Sequence, residues 1–294
     1  RYIELIKLIL KKDENLLGMK IVLDCANGAG YKVGTEALFE LGCEVVSIHK
    51  DPDGTNINEN CGAMFPNEMA LKTKEEKADL GIALDGDADR VVFSDENGNL
   101  IDCDQILGVL ALNLYNQKEL KNNTVVGTIM TNIGFENFLN DNNINLKRVN
   151  VGDRYILDEM LNNNYNLGGE PSGHVIMSDH TKSGDGLLTA IKIISLLKNS
   201  GKKASEFLRP FSITPYKIKN LKKINNYILE TESVKNSLKK IQLDLKNKHN
   251  GRLLVRPSGT EPIVRILVEC EYNDKIDQYI SKVQDLLVKE NSSE

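Results

Sequence analysis

Asp85, Asp87 and Asp89 stand at alternate positions in "IALDGDADRVVF", residues 82–93, with Arg90 next and apolar runs on both sides. Carboxylate oxygens are hard ligands suited to Mg²⁺ or Ca²⁺. In extended backbone, alternate side chains point the same way, so the three carboxylates can converge on one cation. A shared cation removes the repulsion that such a cluster otherwise carries. Gly86 and Ala88 are small and let the chain curve tightly. A solvated polar turn is the bland alternative. A calcium loop of the EF-hand type is excluded: counted from Asp85, Arg90 falls at position 6, where the sharp turn needs Gly. The strand-like flanks disagree with it as well. Arg90 points instead to an anionic group sharing the site.

Two further loops carry chemistry. "GGEPSGH", residues 168–174, places Glu170, Ser172 and His174 on a turn built by glycines and Pro171. An acid, a hydroxyl and an imidazole on one short loop suit hydrogen bonding to a polyol such as a sugar. A glycine-rich connector with incidental polar residues fits the same pattern. Ser and His two residues apart on a loop form no triad signature. "RPSGTEP", residues 256–262, offers Arg256, Ser258, Gly259 and Thr260 after a strand, with Arg265 just beyond. A guanidinium fork, hydroxyls and glycine-freed backbone N–H groups make a phosphate cradle. A hairpin turn with a surface arginine is the alternative. In "VGDRYI", residues 151–156, Asp153 reads as a helix N-cap, and Arg154 can reach a phosphate. Gly28, Gly30 and Gly34 miss the dinucleotide-binding spacing by one residue, so a tight strand-to-helix turn explains them better.

These loops need elements to hold them. Helical spacing covers Tyr2–Lys12, and the segments 19–103 then alternate strand and helix, with Asn97-Gly98 as a hairpin turn. The alternation restarts near Asp104. "KIVLDCANGAG" and "TVVGTIMTNIG" share a strand, a small-residue loop with Asn, and a helix, a weak internal repeat. Pro210 and Pro215 bracket a linker, after which strands and two helices form a smaller module. The expected fold is α/β. Two related domains, residues 1–103 and 104–212, have mixed sheets covered by helices, and an α+β domain follows at 213–294. A chain of 294 residues accommodates that number of cores.

Composition narrows the function. The net charge of −5 argues against a non-specific nucleic-acid binder. No apolar run approaches the ~20 residues of a membrane span, and no signal peptide is evident. Cys25, Cys43, Cys61, Cys103 and Cys270 have no CxxC spacing, which reads as reduced, buried thiols of a cytosolic protein, without a disulfide framework or a zinc site. The chain opens on Arg-Tyr-Ile without Met, as a piece of a longer protein would.

Together and in this order, the three loops resemble those of the α-D-phosphohexomutase superfamily. "DGDADR" is similar to its metal loop, "GGEPSGH" to its sugar loop and "RPSGTEP" to its phosphate loop. "DGTNINENCGA" and "VGDRYIL" look most like the phosphoglucosamine mutase branch. A phosphomannomutase or phosphoglucomutase of the same superfamily is the near alternative. A non-catalytic phosphosugar- or cation-binding protein is the alternative from another class. The family has four domains, and the first carries a phosphorylatable serine in a Ser-His-Asn-Pro context. No such segment occurs here, so the resemblance implies that the chain lacks this domain and is inactive alone.

For the full-length enzyme, the resemblance implies phosphoserine-mediated interconversion of glucosamine 6-phosphate and glucosamine 1-phosphate, serving amino-sugar nucleotide and cell-wall precursor synthesis in the cytoplasm. Mg²⁺ is the implied cofactor, held by Asp85, Asp87 and Asp89, and Arg90 is the implied catalytic residue. Glu170, Ser172, His174 and Arg154 would bind substrate, while Arg256, Ser258, Gly259, Thr260 and Arg265 would grip the non-reacting phosphate. The implied partners are a phosphosugar and the absent N-terminal domain, with a homodimer left open and neither nucleic acid nor membrane expected. Two positions depart from the family. Ala88 stands where Gly is common and is expected at an ordinary φ. Pro171 sits at a position that varies among branches.

Overall fold

The computed structural model describes residues 1–12, 14–258 and 263–292. The first helix, α1 (Tyr2–Lys7), stops short of the expected Lys12. The amides of Leu8, Ile9 and Leu10 each bond three residues back, tightening the chain out of the α-helix. Then follow β1 (Lys20–Asp24), α2 (Gly30–Glu40), β2 (Glu44–Ile48), α3 (Asn67–Glu75), β3 (Leu80–Leu84), β4 (Val91–Ser94) and β5 (Leu100–Ile101). Among the described residues these strands form one sheet in the order β2-β1-β3-β4-β5. β1 is parallel to β2 and β3, whereas β4 runs antiparallel to β3 and β5 antiparallel to β4.

The plan is then repeated. α4 (Cys103–Asn116) leads to β6 (Thr124–Thr128), α5 (Ile133–Asp141), β7 (Asn145–Val149), α6 (Asp153–Asn163), β8 (Leu167–Gly169) and β9 (Val175–Met177). The sheet order is β7-β6-β8-β9, with three parallel strands and a final antiparallel one. The internal similarity in the sequence therefore corresponds to two β-α-β-α-β-β units. The aspartate loop connects β3 to β4, and the Glu170–His174 loop connects β8 to β9, so the two occupy the same place in their repeats. Gly168 and Gly169 belong to β8 and not to the turn. At Gly168 a Cβ would come within 2.7 Å of Ile156 and 2.8 Å of Met160, so its bare backbone is what lets α6 pack there.

Helix α7 (Gly186–Ser200), ending at Gly201 with φ +66°, and the short α8 (Ala204–Phe207) complete this part. Residues 1–131 and 135–212 form one compact unit. One core runs through it: Ile21, Leu23, Ile82 and Leu84 of the first sheet, Val125 and Leu167 of the second, and Ile106, Leu110, Ile191 and Ile194 of α4 and α7. Each such side chain contributes roughly 1.5–3 kcal/mol by leaving water.

Residues 132–134 and 213–294 form the second unit. Its elements are β10 (Tyr216–Lys222), α9 (Glu232–His249), β11 (Arg252–Pro257), β12 (Ile263–Glu269) and α10 (Asn273–Ser292). The antiparallel order is β10-β12-β11. Its separate core includes Leu221, Val234, Leu245, Val264, Ile266, Val268, Val283 and Leu287.

Candidate active site

The parallel strands deliver their loops to one edge of each sheet, the carboxyl edge where α/β folds place ligands. At the end of β3 the chain turns sharply. The Asp85 carboxylate accepts the Arg90 N–H at 3.0 Å, and the Ala88 N–H donates to the Asp85 carbonyl at 3.0 Å. Ala88 adopts φ +62°, a left-handed conformation. The expected ordinary φ is therefore wrong. The turn that gathers alternate side chains needs a reversed dihedral at this place, where Gly carries no Cβ penalty. Two neighbours brace the loop: Ala29 donates to the Gly86 carbonyl at 2.7 Å, and Gly186 to the Ala88 carbonyl at 2.9 Å. The first brace needs Gly28, where a Cβ would lie 2.2 Å from the Gly86 oxygen. Of the glycines read as a tight strand-to-helix turn, Gly28 and Gly30 thus back the aspartate loop, while Gly34 packs on Leu23 from within α2.

Asp85, Asp87 and Asp89 each place one carboxylate oxygen within 4.8 Å of the others. Asp85 is buried, Asp89 half-buried and Asp87 exposed. Burial pushes the Asp85 carboxyl up to about 6, with repulsion from Asp89 and Asp87 adding to the rise and the Arg90 N–H opposing it. The Arg90 side chain meets the cluster as a loose ion pair and not through a hydrogen bond from Nε. Its Nε lies 3.9 Å from Asp85 and 3.8 Å from Asp89, and is buried without a hydrogen-bond partner. Convergent oxygens, one of them resisting its own charge, fit a hard divalent cation.

The second loop abuts the first. Arg90 and His174 form an antiparallel bridge, and Val91 donates to the Gly173 carbonyl at 3.1 Å. Gly173 has φ +97°, and a Cβ there would lie 2.6 Å from the Val91 oxygen. His174 is buried, with Nδ1 3.2 Å from an Asp89 oxygen. A histidine expected to face the sugar thus also holds a carboxylate of the metal loop. Glu170 is half-buried and Ser172 exposed, on a turn closed by Gly173 N–H to the Glu170 carbonyl at 3.1 Å.

Arg154 is not drawn into this cluster. It is exposed at the start of α6, on the same carboxyl edge, with Nε 3.7 Å from Asp158 of its own helix. Asp153 is not the N-cap either. Gly152, at φ +130°, holds that position, and the Asp153 carboxylate accepts only the adjacent Arg154 N–H.

The sequence reading missed "SGDG", residues 183–186. A Cβ on Gly184 would fall 2.3 Å from the His174 ring, and one on Gly186 would lie 2.6 Å from the Arg90 carbonyl. Asp185 caps α7 through the Leu188 N–H at 2.9 Å and accepts the Tyr2 hydroxyl at 2.9 Å. Gly184, Asp185 and Tyr2 line a cavity of about 300 Å³ together with Asp87, Ala88 and Gly30. Two glycines around an aspartate before a helix were the available signal.

In the second unit, Arg256 and Arg265 are directly opposite on β11 and β12. Like charges across a ladder oppose each other. Burial lowers the Arg256 pKa, and Arg265 lowers it further. Ser258 is half-buried and donates its N–H to the Ile263 carbonyl at 2.9 Å. Gly259 and Thr260 lie outside the described residues.

Three consecutive domain descriptions of the phosphoglucomutase/phosphomannomutase family match the chain: α/β/α domain II over residues 1–98, α/β/α domain III over 102–212, and the C-terminal domain over 216–286. The chain belongs to the phosphohexomutase superfamily. A phosphoglucosamine mutase of Rhizobium johnstonii is 44% identical over 283 residues, covering 96% of this phosphohexomutase chain and 62% of the relative. A phosphoglucomutase/phosphomannomutase family protein of Burkholderia thailandensis superposes with TM-score 0.79 at 21% identity, over 98% of this chain and 63% of the other. An N-acetylphosphoglucosamine mutase of Aspergillus fumigatus, solved with GlcNAc-6P and magnesium, gives TM-score 0.75 at 18% identity, over 96% and 68%. At these identities the solved structures show the shared fold. The chain spans less than two thirds of the Rhizobium relative it matches. Among the described residues, no helix is long and apolar enough to cross a membrane.

Proposed function

We propose that this chain is the metal- and phosphosugar-binding part of a cytoplasmic phosphoglucosamine mutase, which interconverts glucosamine 6-phosphate and glucosamine 1-phosphate. The observation that carries this reading is the Arg90–His174 bridge, which sets a three-carboxylate loop directly beside a sugar-type loop. The 44% identity to a phosphoglucosamine mutase favours the amino sugar over mannose or glucose.

Asp85, Asp87 and Asp89 would hold Mg²⁺, which supplies charge neutralisation to a phosphoryl group in transfer. Arg90 directs its guanidinium to the oxygens of that group. His174 fixes the Asp89 carboxylate, and Glu170 and Ser172 accept and donate to sugar hydroxyls or the amine. Arg154, on the same edge, is assigned to the substrate phosphate. Arg256, Ser258, Gly259, Thr260 and Arg265 are assigned to the non-reacting phosphate. Two opposed guanidinium groups suit a dianion that lowers their mutual repulsion.

No Ser-His-Asn-Pro segment occurs in the 294 residues, so phosphoryl carriage is assigned to a segment outside them. The test joins this chain behind a domain bearing such a segment and compares kcat/KM on the 1-phosphates of glucosamine, mannose and glucose. The expected preference is for glucosamine 1-phosphate. An equal or higher value on mannose 1-phosphate overturns the assignment.

A further inference from the structure

A second group of metal-ligating atoms lies outside the aspartate loop. Asp24, His49 and Cys61 each place one donor atom within 4.8 Å of the others. They come from three segments: the last residue of β1, the residue after β2, and the residue before the 3₁₀ turn Gly62–Met64. We propose that Asp24, His49 and Cys61 bind a zinc-class divalent cation that clips the loop of residues 50–66 to the strand ends.

Asp24 is fully buried. Its Oδ1 accepts the Ala26 N–H and its Oδ2 the Gly62 N–H, both at 2.8 Å, so the carboxylate is held rigidly with a lone pair to spare on each oxygen. His49 Nδ1 lies 3.1 Å from Asp24 Oδ2 yet lacks hydrogen-bond alignment, and is buried without a hydrogen-bond partner. In a tetrahedral site with bonds near 2.0–2.1 Å, nitrogen and oxygen ligands sit about 3.3 Å apart, close to this separation. The outer nitrogen, Nε2, lies 3.3 Å from the Glu68 carboxylate. A carboxylate behind the outer nitrogen sets the tautomer that offers the inner lone pair to a metal. Cys61 is fully buried and free, and supplies the sulfur.

The backbone holds this arrangement at a cost. His49 adopts φ +46°, unusual for a non-glycine residue, and its carbonyl accepts the Asn27 N–H at 2.7 Å. Gly62 lets the loop press inward, since a Cβ there would meet Ala26 and the Leu84 carbonyl at 2.5 Å. One oxygen, one nitrogen and one sulfur donor suit zinc, whereas the all-oxygen aspartate loop suits magnesium, so donor chemistry sorts the two cations. The partly exposed His49 edge would give a cation a way in.

The test titrates the metal-stripped chain with Co²⁺ as the spectroscopic probe and displaces it with Zn²⁺. One equivalent with a thiolate-to-cobalt charge-transfer band is expected, together with a melting temperature raised by Zn²⁺. The band should vanish in Cys61→Ser. Affinity should fall at least about 10-fold in His49→Gln, whose altered side chain is partly exposed and leaves the buried Asp24 and Cys61 in place. Asp87→Asn should leave the thiolate band unchanged. Absence of a stoichiometric band, its persistence in Cys61→Ser, or its loss in Asp87→Asn overturns the proposal.

Discussion

Asp85 carries an electrostatic conflict: it is a buried carboxylate whose pKa rises from the ordinary aspartate value near 4 to about 6, first by burial and then through the neighbouring aspartates. A raised folded-state pKa means that the folded protein binds this proton more tightly. The group's contribution is fully favourable below about pH 4 and is lost as pH rises through about 6. In EDTA, unfolding by urea should therefore show stability falling across pH 4 to 6 by up to about 2 kcal/mol from this residue, and Asp85→Asn should remove that slope. Mg²⁺ should restore stability above pH 6 and do little at pH 4, where the ligand is protonated. Ala88 adds a local strain. Ala88→Val should cost about 2 kcal/mol or more, because a β-branched residue tolerates φ +62° poorly, while Ala88→Gly should be neutral or slightly stabilising. Equilibrium denaturation of the two variants checks the contrast.

Among the elements, the site depends on glycines that let loops approach. Gly28→Ala adds a Cβ 2.2 Å from the Gly86 carbonyl. The loop must move, so Mg²⁺ affinity should fall at least about 10-fold by calorimetry although position 28 ligates nothing. Gly184→Ala drives a methyl into the His174 ring at 2.3 Å and should destabilise by about 1–3 kcal/mol in thermal unfolding. These contacts explain what the sequence could and could not reveal. The period-two spacing of Asp85, Asp87 and Asp89 is local, so a strand reading exposes it. The contact between His174 and Asp89 spans 85 positions and exists only because the same loop is used in both repeats. Cysteine spacing argued against zinc, yet the fold brings Cys61 to Asp24 and His49 from three separate segments. Ala88 was misjudged because its dihedral belongs to the turn and not to its residue type. Strand β8 was hidden because two of its three residues are glycine.

For the whole molecule, the proposed cation binding and the proposed catalysis make separable demands. The three carboxylates, Arg90, Glu170, Ser172 and His174 lie within the unit formed by residues 1–131 and 135–212, over one continuous core. Their geometry thus needs no contribution from outside that unit. The proposed chemistry needs more: a group that gives its phosphoryl to the sugar and takes another back. His174 is buried against Asp89, which leaves it poorly placed for this role. The chain alone should therefore bind glucosamine 6-phosphate in a Mg²⁺-dependent manner without converting it. Phosphorus NMR of the substrate incubated with the purified chain should show only the 6-phosphate signal, while calorimetry shows binding that weakens in Asp87→Asn. Equilibration with the 1-phosphate would place a phosphoryl carrier within these 294 residues. The same rates in Ser172→Ala would then exclude the one exposed hydroxyl of the sugar loop as that carrier.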